Sequence, residues 1–211
     1  MKVGTDGVLV GAWAAGGRRI LDIGTGTGVV ALMMAQRFPE AQVTGIELDG
    51  EAARQAAENA AASPFADRVD IVHASLQQYE APPYDAIVAN PPFFSHALRA
   101  SGSARAMARQ TDTLSYRDLC MGGRRLLAGD GVMSVILPAD RMGEMETEAA
   151  LAGLFLHRRV MVRTTGRKAP KRCLLAFGTH SVPTLRQETC TMMCDGKPTP
   201  WYHSLVEDFY L

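Results

Sequence analysis

A short apolar strand running into a glycine-studded loop, LDIGTGTG at residues 21–28, constrains the fold of this chain more than any other stretch. Glycines at 24, 26 and 28 let the backbone turn tightly and bring N–H groups close to a ligand. The loop opens into a helical pattern carried by Val30, Leu32, Met33 and Met34, which Pro39 stops.

The same alternation of strand and helix continues along the chain. Strands are predicted over 19–23, 42–47, 69–73 and 84–89, with an alanine-rich helix over 51–62. A helix over 116–127, a strand over 132–137 and a helix over 144–152 follow. Strands over 159–163 and 172–177, and an edge strand over 188–193, have no long helix between them, which points to an antiparallel pair at one edge. The expected fold is α/β and Rossmann-like: a doubly wound, mostly parallel, seven-stranded sheet with an antiparallel edge pair. Residues 95–112 are polar, basic and weakly patterned, suited to a loop or partly ordered helix facing a substrate. All 211 residues read as one domain.

Bulk properties narrow the setting. A composition of 47% hydrophobic and 21% charged residues is that of a soluble globular protein. No run of eighteen apolar residues offers a membrane span. No apolar signal region precedes Asp6, so the cytoplasm is the expected location. Cys120, Cys173, Cys190 and Cys194 contain one C-x3-C pair without a second ligand cluster, so free thiols and no metal are expected. Without a coiled-coil pattern the expected state is a monomer, a dimer through an exposed edge strand being the alternative.

The net charge is zero, yet the charge is unevenly spread. Residues 1–98 hold six Lys/Arg against eleven Asp/Glu, and residues 99–172 hold fourteen against seven. Arg158, Arg159, Arg163, Arg167, Lys168, Lys171 and Arg172 follow one another with no acid between them. One basic face able to meet phosphates is the functional reading, and a solvated strand pair is the bland one.

The loop spacing is GxGxG, not the GxGxxG of a dinucleotide fingerprint. A dinucleotide sets its pyrophosphate at the helix start, whereas S-adenosylmethionine has no phosphate. An acid immediately before the loop would repel a pyrophosphate, but Asp22 can order the loop or receive the ligand's ammonium. Glu47 ends the second strand nineteen residues after Gly28, where a carboxylate suits the two hydroxyls of a ribose. Asp49 reads as the N-cap of the next helix. Ala74 and Ser75 follow the third strand and are placed to meet an adenine ring, with Leu76 assigned to the core. A plain glycine-rich turn or a nicotinamide site is the competing reading of the loop.

The second informative stretch, ANPPFF at 89–94, closes the fourth strand on the rim where such sheets bind ligands. An exocyclic adenine amine is a poor nucleophile because its lone pair is delocalised into the ring. Asn90 Oδ1 and the Pro91 carbonyl can accept its two hydrogens and draw the nitrogen toward tetrahedral geometry. Pro91 and Pro92 stiffen the corner, so these acceptors are oriented beforehand. Phe93 offers a face for stacking the base, and Phe94 is either a second wall or a core plug. A simple helix-blocking turn is the alternative.

MKVGTDGVLVGAWA, LDIGTGTG, IELD, ANPPFF and the closing SLVEDFYL together resemble the bacterial tRNA1(Val) adenine-N6 methyltransferases, small-domain class I enzymes that modify the adenine beside the anticodon. The resemblance spans almost the whole chain. It implies S-adenosylmethionine as cofactor and tRNA as partner. Lys2 to Gly7 would lie over the methionine part of the cofactor, with Thr5 and Asp6 as contacts. Asp22, Gly24, Gly26, Gly28 and Glu47 would match the cofactor motifs, and Asn90, Pro91, Pro92 and Phe93 the amino-methylating motif. Arg109 would have a phosphate-binding or loop-ordering role, and the tRNA would approach across the Arg99, Arg105 and Arg109 side, with the basic strands as a further surface. Family members carry a further segment before the KVGTDG stretch, so either a short form or an absent N-terminal segment is expected. Protein glutamine N5, rRNA guanine-N2 and small-molecule methylation remain as alternatives, as does an RNA-binding module with a vestigial cofactor pocket.

Overall fold

Parallel pairing around one central strand sets the frame. In the computed structural model, which describes residues 4–91 and 114–209, β1 (Arg19–Ile23) lies between β2 (Gln42–Glu47) and β4 (Tyr84–Ala89). Ile23 stands opposite both Ile46 and Ala89. β3 (Val69–His73) extends the sheet beyond β2, and β5 (Leu127–Pro138) beyond β4. β6 (Phe155–Thr165), β7 (Arg172–Gly178), β8 (Arg186–Cys194) and the short β9 (Lys197–Pro198) complete it in the order β3-β2-β1-β4-β5-β7-β6-β8-β9.

The central strands are apolar because both their faces are covered. Ile20, Ala86 and Val88 enter one core with α1 (Thr5–Trp13) and α2 (Val29–Arg37). Leu21, Ile23, Ile87 and Ala89 enter the other with α4 (Tyr116–Leu126) and α5 (Met142–Leu151). α3 (Gly50–Ala61) follows β2 and is capped by Asp49, whose side chain accepts from the Ala52 N–H at 2.8 Å. α6 (Pro200–Val206) packs Trp201, Tyr202 and Leu205 back against the α1 side.

The Rossmann-like, mostly parallel class expected of the chain is the observed one, with two differences in detail. The sheet has nine strands among the described residues, not seven. The antiparallel strand β7 is also inserted between β5 and β6 instead of lying at the edge. Burial explains the insertion. Leu174 and Ala176 on one face of β7, and Cys173, Leu175 and Phe177 on the other, are all buried and need cover on both sides. β8 begins with the exposed residues Arg186, Gln187, Glu188 and Thr189, and can lie toward the outside.

α1 was expected only as a segment preceding the sheet. It is a helix buried nearly all round: Leu9, Val10 and Trp13 face the sheet, and Val8 and Ala12 meet Met33 and Val206. Arg37 Nη1 donates to Gly11 O at 2.7 Å and Ala14 O at 2.9 Å, tying the end of α1 to α2. That guanidinium satisfies carbonyls that a helix end leaves unpaired.

Candidate active site

Sheet register assembles the site. Ile46, Ile23 and Ala89 form one rung across β2, β1 and β4. The next residues outward, Glu47, Gly24 and Asn90, therefore stand side by side on the rim formed by the C-terminal ends of these parallel strands. The Gly24 and Thr25 N–H groups both donate to Ile46 O, at 2.9 and 3.0 Å, turning the loop over the end of β2.

The loop is left-handed at all three expected glycines, with φ of 68° at Gly24, 58° at Gly26 and 85° at Gly28. A side chain at any of them would strain the backbone. Space above Gly24 is open, with no heavy atom within 4 Å of a Cβ built there. The chain thus leaves a glycine-lined cradle facing the crevice.

Asp22 lies beneath this loop, only 1% exposed. Its Oδ2 accepts from Thr25 Oγ1 at 2.5 Å. Burial pushes its carboxyl up to about 7 and Glu47 adds to the rise, while the bonds from Thr25 and the Ala31 backbone act against it. Of the two roles open to Asp22, ordering the loop is the one these bonds display.

Glu47 is committed on both oxygens. Oε2 accepts the Gly26 N–H at 2.8 Å and Oε1 the Asp49 N–H at 3.0 Å. The Ala74 N–H donates to Glu47 O at 3.0 Å, which brings the turn after β3 against the same rim. Ser75, next along, closes that turn by accepting the Gln78 and Tyr79 N–H groups. Leu76 is buried in the core as expected, and His73 is an exposed strand-end residue bonded to Leu48 O at 2.9 Å.

Two residues that shape this rim were not singled out in the sequence. Leu48 is a large apolar side chain, 47% exposed, directly after Glu47. An exposed leucine on a ligand rim suits the face of an aromatic ring; the signal was an apolar residue continuing past the acid in IELD. Gly45 is the other. A Cβ there would stand 2.8 Å from Ile71 Cδ1 and 2.9 Å from Thr25 Oγ1, so only glycine leaves room for Thr25 to fold back over the strand.

Asn90 is half-buried and Pro91 buried at the end of β4. α1 passes beside them: a Cβ on Gly7 would lie 3.8 Å from Asn90 Nδ2. Thr5 opens the same helix and is exposed. Asp6 is ion-paired with Arg172, the first residue of β7. Pro92, Phe93, Phe94, Arg99, Arg105 and Arg109 lie outside the described residues. Among the described residues no group of three His, Cys, Asp or Glu side chains could hold a metal ion, and no helix is long and apolar enough to cross a membrane.

The basic run of β6 and β7 is partly neutralised. Arg158 pairs with Glu188 and Arg159 with Glu146, each at 2.7 Å, and Arg172 with Asp6.

Comparison with known proteins gives a consistent picture. The family model described as methyltransferase small domain matches residues 4–165. A tRNA1(Val) (adenine(37)-N6)-methyltransferase of Bacteroides thetaiotaomicron is 41% identical over 215 residues, covering 100% of this chain and 91% of its own. Another so named, from Aeromonas hydrophila subsp. hydrophila, is 42% identical over 214 residues, with 100% and 91% covered. Among solved structures, a protein described as a predicted O-methyltransferase from Agrobacterium tumefaciens superposes with a TM-score of 0.72 at 18% identity, over 96% of each chain. A TehB-like SAM-dependent methyltransferase from Corynebacterium glutamicum gives 0.54 at 19% identity, over 83% of this chain and 88% of that one. Likeness at these identities speaks to the fold alone.

Proposed function

The chain belongs to the bacterial tRNA1(Val) adenine-N6 methyltransferase family, within the small-domain class I methyltransferases, and from that membership we propose how its residues carry the reaction. It transfers a methyl group from S-adenosylmethionine to the exocyclic N6 of adenine in tRNA(Val). The observation that supports the residue assignment is the rim on which Glu47, Gly24 and Asn90 stand side by side.

When bound, S-adenosylmethionine supplies an electrophilic methyl group carried on a sulfonium. The left-handed loop at Gly24, Gly26 and Gly28 accommodates its backbone-facing side, and Asp22 holds that loop through Thr25. Glu47 takes the ribose hydroxyls, while Leu48, Ala74 and Ser75 enclose the adenine ring. Thr5 and Asp6 lie toward the methionine end, with Asp6 anchored by Arg172.

Asn90 Oδ1 and the Pro91 carbonyl accept the two hydrogens of the target amine, which frees its lone pair for in-line attack. No strong general base is needed, because the methylated ammonium product loses its proton readily. In the motif that follows Asn90 and Pro91 in sequence, Pro92 is assigned to orienting the acceptors, Phe93 to stacking the target base and Phe94 to walling the pocket. Arg99, Arg105 and Arg109 meet the RNA. The chain works as one domain and as a monomer in the cytoplasm, without a metal or a membrane.

The test is incorporation of labelled methyl from S-adenosylmethionine into total tRNA lacking the modification, followed by nucleoside analysis. Label in N6-methyladenosine, lost with Asn90→Ala, is the expected result. No label despite confirmed cofactor binding would overturn the reading and turn attention to a protein amide or small-molecule acceptor.

A further inference from the structure

We propose that the β6–β7 hairpin is an RNA-docking element, its tip gripping the sugar–phosphate backbone of tRNA while the target base sits at the Asn90 corner. The inference rests on tRNA being the substrate, as argued above.

Charge is the first ground. From Arg163 to Arg172 the chain carries five basic residues and no acid. Of the longer basic run, Arg158, Arg159 and Arg172 are neutralised by Glu188, Glu146 and Asp6. Arg163, Arg167, Lys168 and Lys171 have no ion pair among the described residues, and the last three are exposed. Pairing along the strands therefore leaves the net positive charge concentrated at the turn, residues 166–171. The acids nearest in sequence to the ends of the neighbouring strands are Asp140, in the short 3-10 helix after β5, and Asp195, in the turn after β8.

Position is the second. β5 is antiparallel to β7 and β7 to β6, so β6 runs parallel to β4 and β5. The turn after β6 thus emerges on the rim that carries Asn90. β7 is two strands from β4, a lateral separation of about 10 Å, which is about three stacked nucleotides at ~3.4 Å each. A tRNA with its adenine at Asn90 can lay neighbouring phosphates across the tip.

Rigidity is the third. The Lys168 N–H donates to Thr165 O at 3.1 Å, the Lys171 N–H to Val162 O at 3.0 Å, and the Ala139 N–H to Lys171 O at 3.0 Å. β8 supports β6 from outside through the rung Thr165–Met193. At the root, Arg172 is paired with Asp6, whose neighbour Gly7 lies against Asn90. The cations are thus held in fixed register with the methylation corner, and little ordering is required when RNA arrives.

The deciding experiment compares the wild-type protein with the triple variant Arg167→Gln, Lys168→Gln, Lys171→Gln, using a tRNA(Val) transcript. The expected result is a KM for tRNA raised about ten- to hundredfold with kcat within about twofold. The log–log salt dependence of RNA binding should flatten by about 2–3, one unit or slightly less per lost phosphate contact. Cofactor affinity and thermal midpoint should not move. A charge-keeping variant, Lys168→Arg with Lys171→Arg, should behave as wild type. Unchanged KM and salt slope in a triple variant whose parent methylates tRNA would overturn the proposal while leaving the function intact. If the parent transfers no methyl to tRNA, the functional reading fails; RNA affinity and its salt slope then decide the hairpin separately, equal values in both proteins overturning it. Loss of binding to anionic lipid vesicles with RNA binding unchanged would likewise overturn it.

Discussion

Glu47 Oε2 accepts the Gly26 backbone N–H at 2.8 Å, so the acid ending β2 and the glycine loop ending β1 form one unit. The same carboxylate takes the Asp49 N–H, which sets the start of α3. A single side chain thereby joins two strand ends and a helix cap at the place assigned to the ribose.

Replacing Glu47 with Ala removes both acceptors, leaves the Gly26 N–H unpaired, and deletes the ribose contact. Unsatisfied or lost polar contacts of this kind cost about 1–3 kcal/mol each. S-adenosylhomocysteine affinity, measured by titration calorimetry, should fall about a hundredfold. Glu47→Gln, which keeps one acceptor oxygen, should lose less. Equal affinity in all three proteins would remove Glu47 from the cofactor site.

Gly45→Ala probes the packing beneath the loop. The new methyl meets Thr25 Oγ1 and Ile71 Cδ1 below 3 Å, so these side chains must shift, and a shift of Thr25 disturbs its bond to Asp22. Overpacking of this size costs about 1–3 kcal/mol. A lower thermal midpoint together with weaker cofactor binding is expected. A stability loss with unchanged binding would show that Thr25 does not shape the cradle.

Asp22 gives a pH signature. Its folded-state carboxyl titrates at about 7, above the unfolded value of 3.8, because burial disfavours the charge. Between these values the folded state holds a proton that the unfolded state has released, so stability falls as pH rises through that window. Asp22→Asn cannot ionise. The stability of wild type relative to this variant should therefore be highest near pH 4, decline toward pH 7, and level off above it. Denaturant titrations at four pH values measure this directly. A flat difference would mean that the carboxyl is not held protonated beneath the loop.

Much of this architecture was legible because local pattern and environment agree. β1, β2, β3 and β4 are short runs built around Val, Ile or Leu, and each was predicted to its last residue. α1 was not, since TDGVLVGAW is covered on nearly every side and shows no polar stripe to mark a helix. The insertion of β7 depends on which neighbours bury its two faces, which adjacent residues do not reveal. The basic run was read as seven cations with no acid between them in sequence, yet the partners of Arg159, Arg158 and Arg172 lie 13, 30 and 166 residues away. Leu48 and Gly45 were passed over for a similar reason: the exposure of one and the close packing of the other against Thr25 come from the folded rim, not from a motif letter.

The four cysteines supply a last test that is independent of the reaction. Cys120, Cys173 and Cys190 are buried, and burial pushes the first two up to about 12 and the third to about 11. The thiolate is the reacting form, so these three should resist alkylation at pH 8. Cys194 is exposed at the end of β8. Iodoacetamide treatment of the folded protein should add one label rapidly, which peptide mapping places on Cys194, and three more only after denaturant. Fast labelling of Cys190 in the native state would show that β8 opens away from β6, and the support it lends the basic hairpin would then be lost.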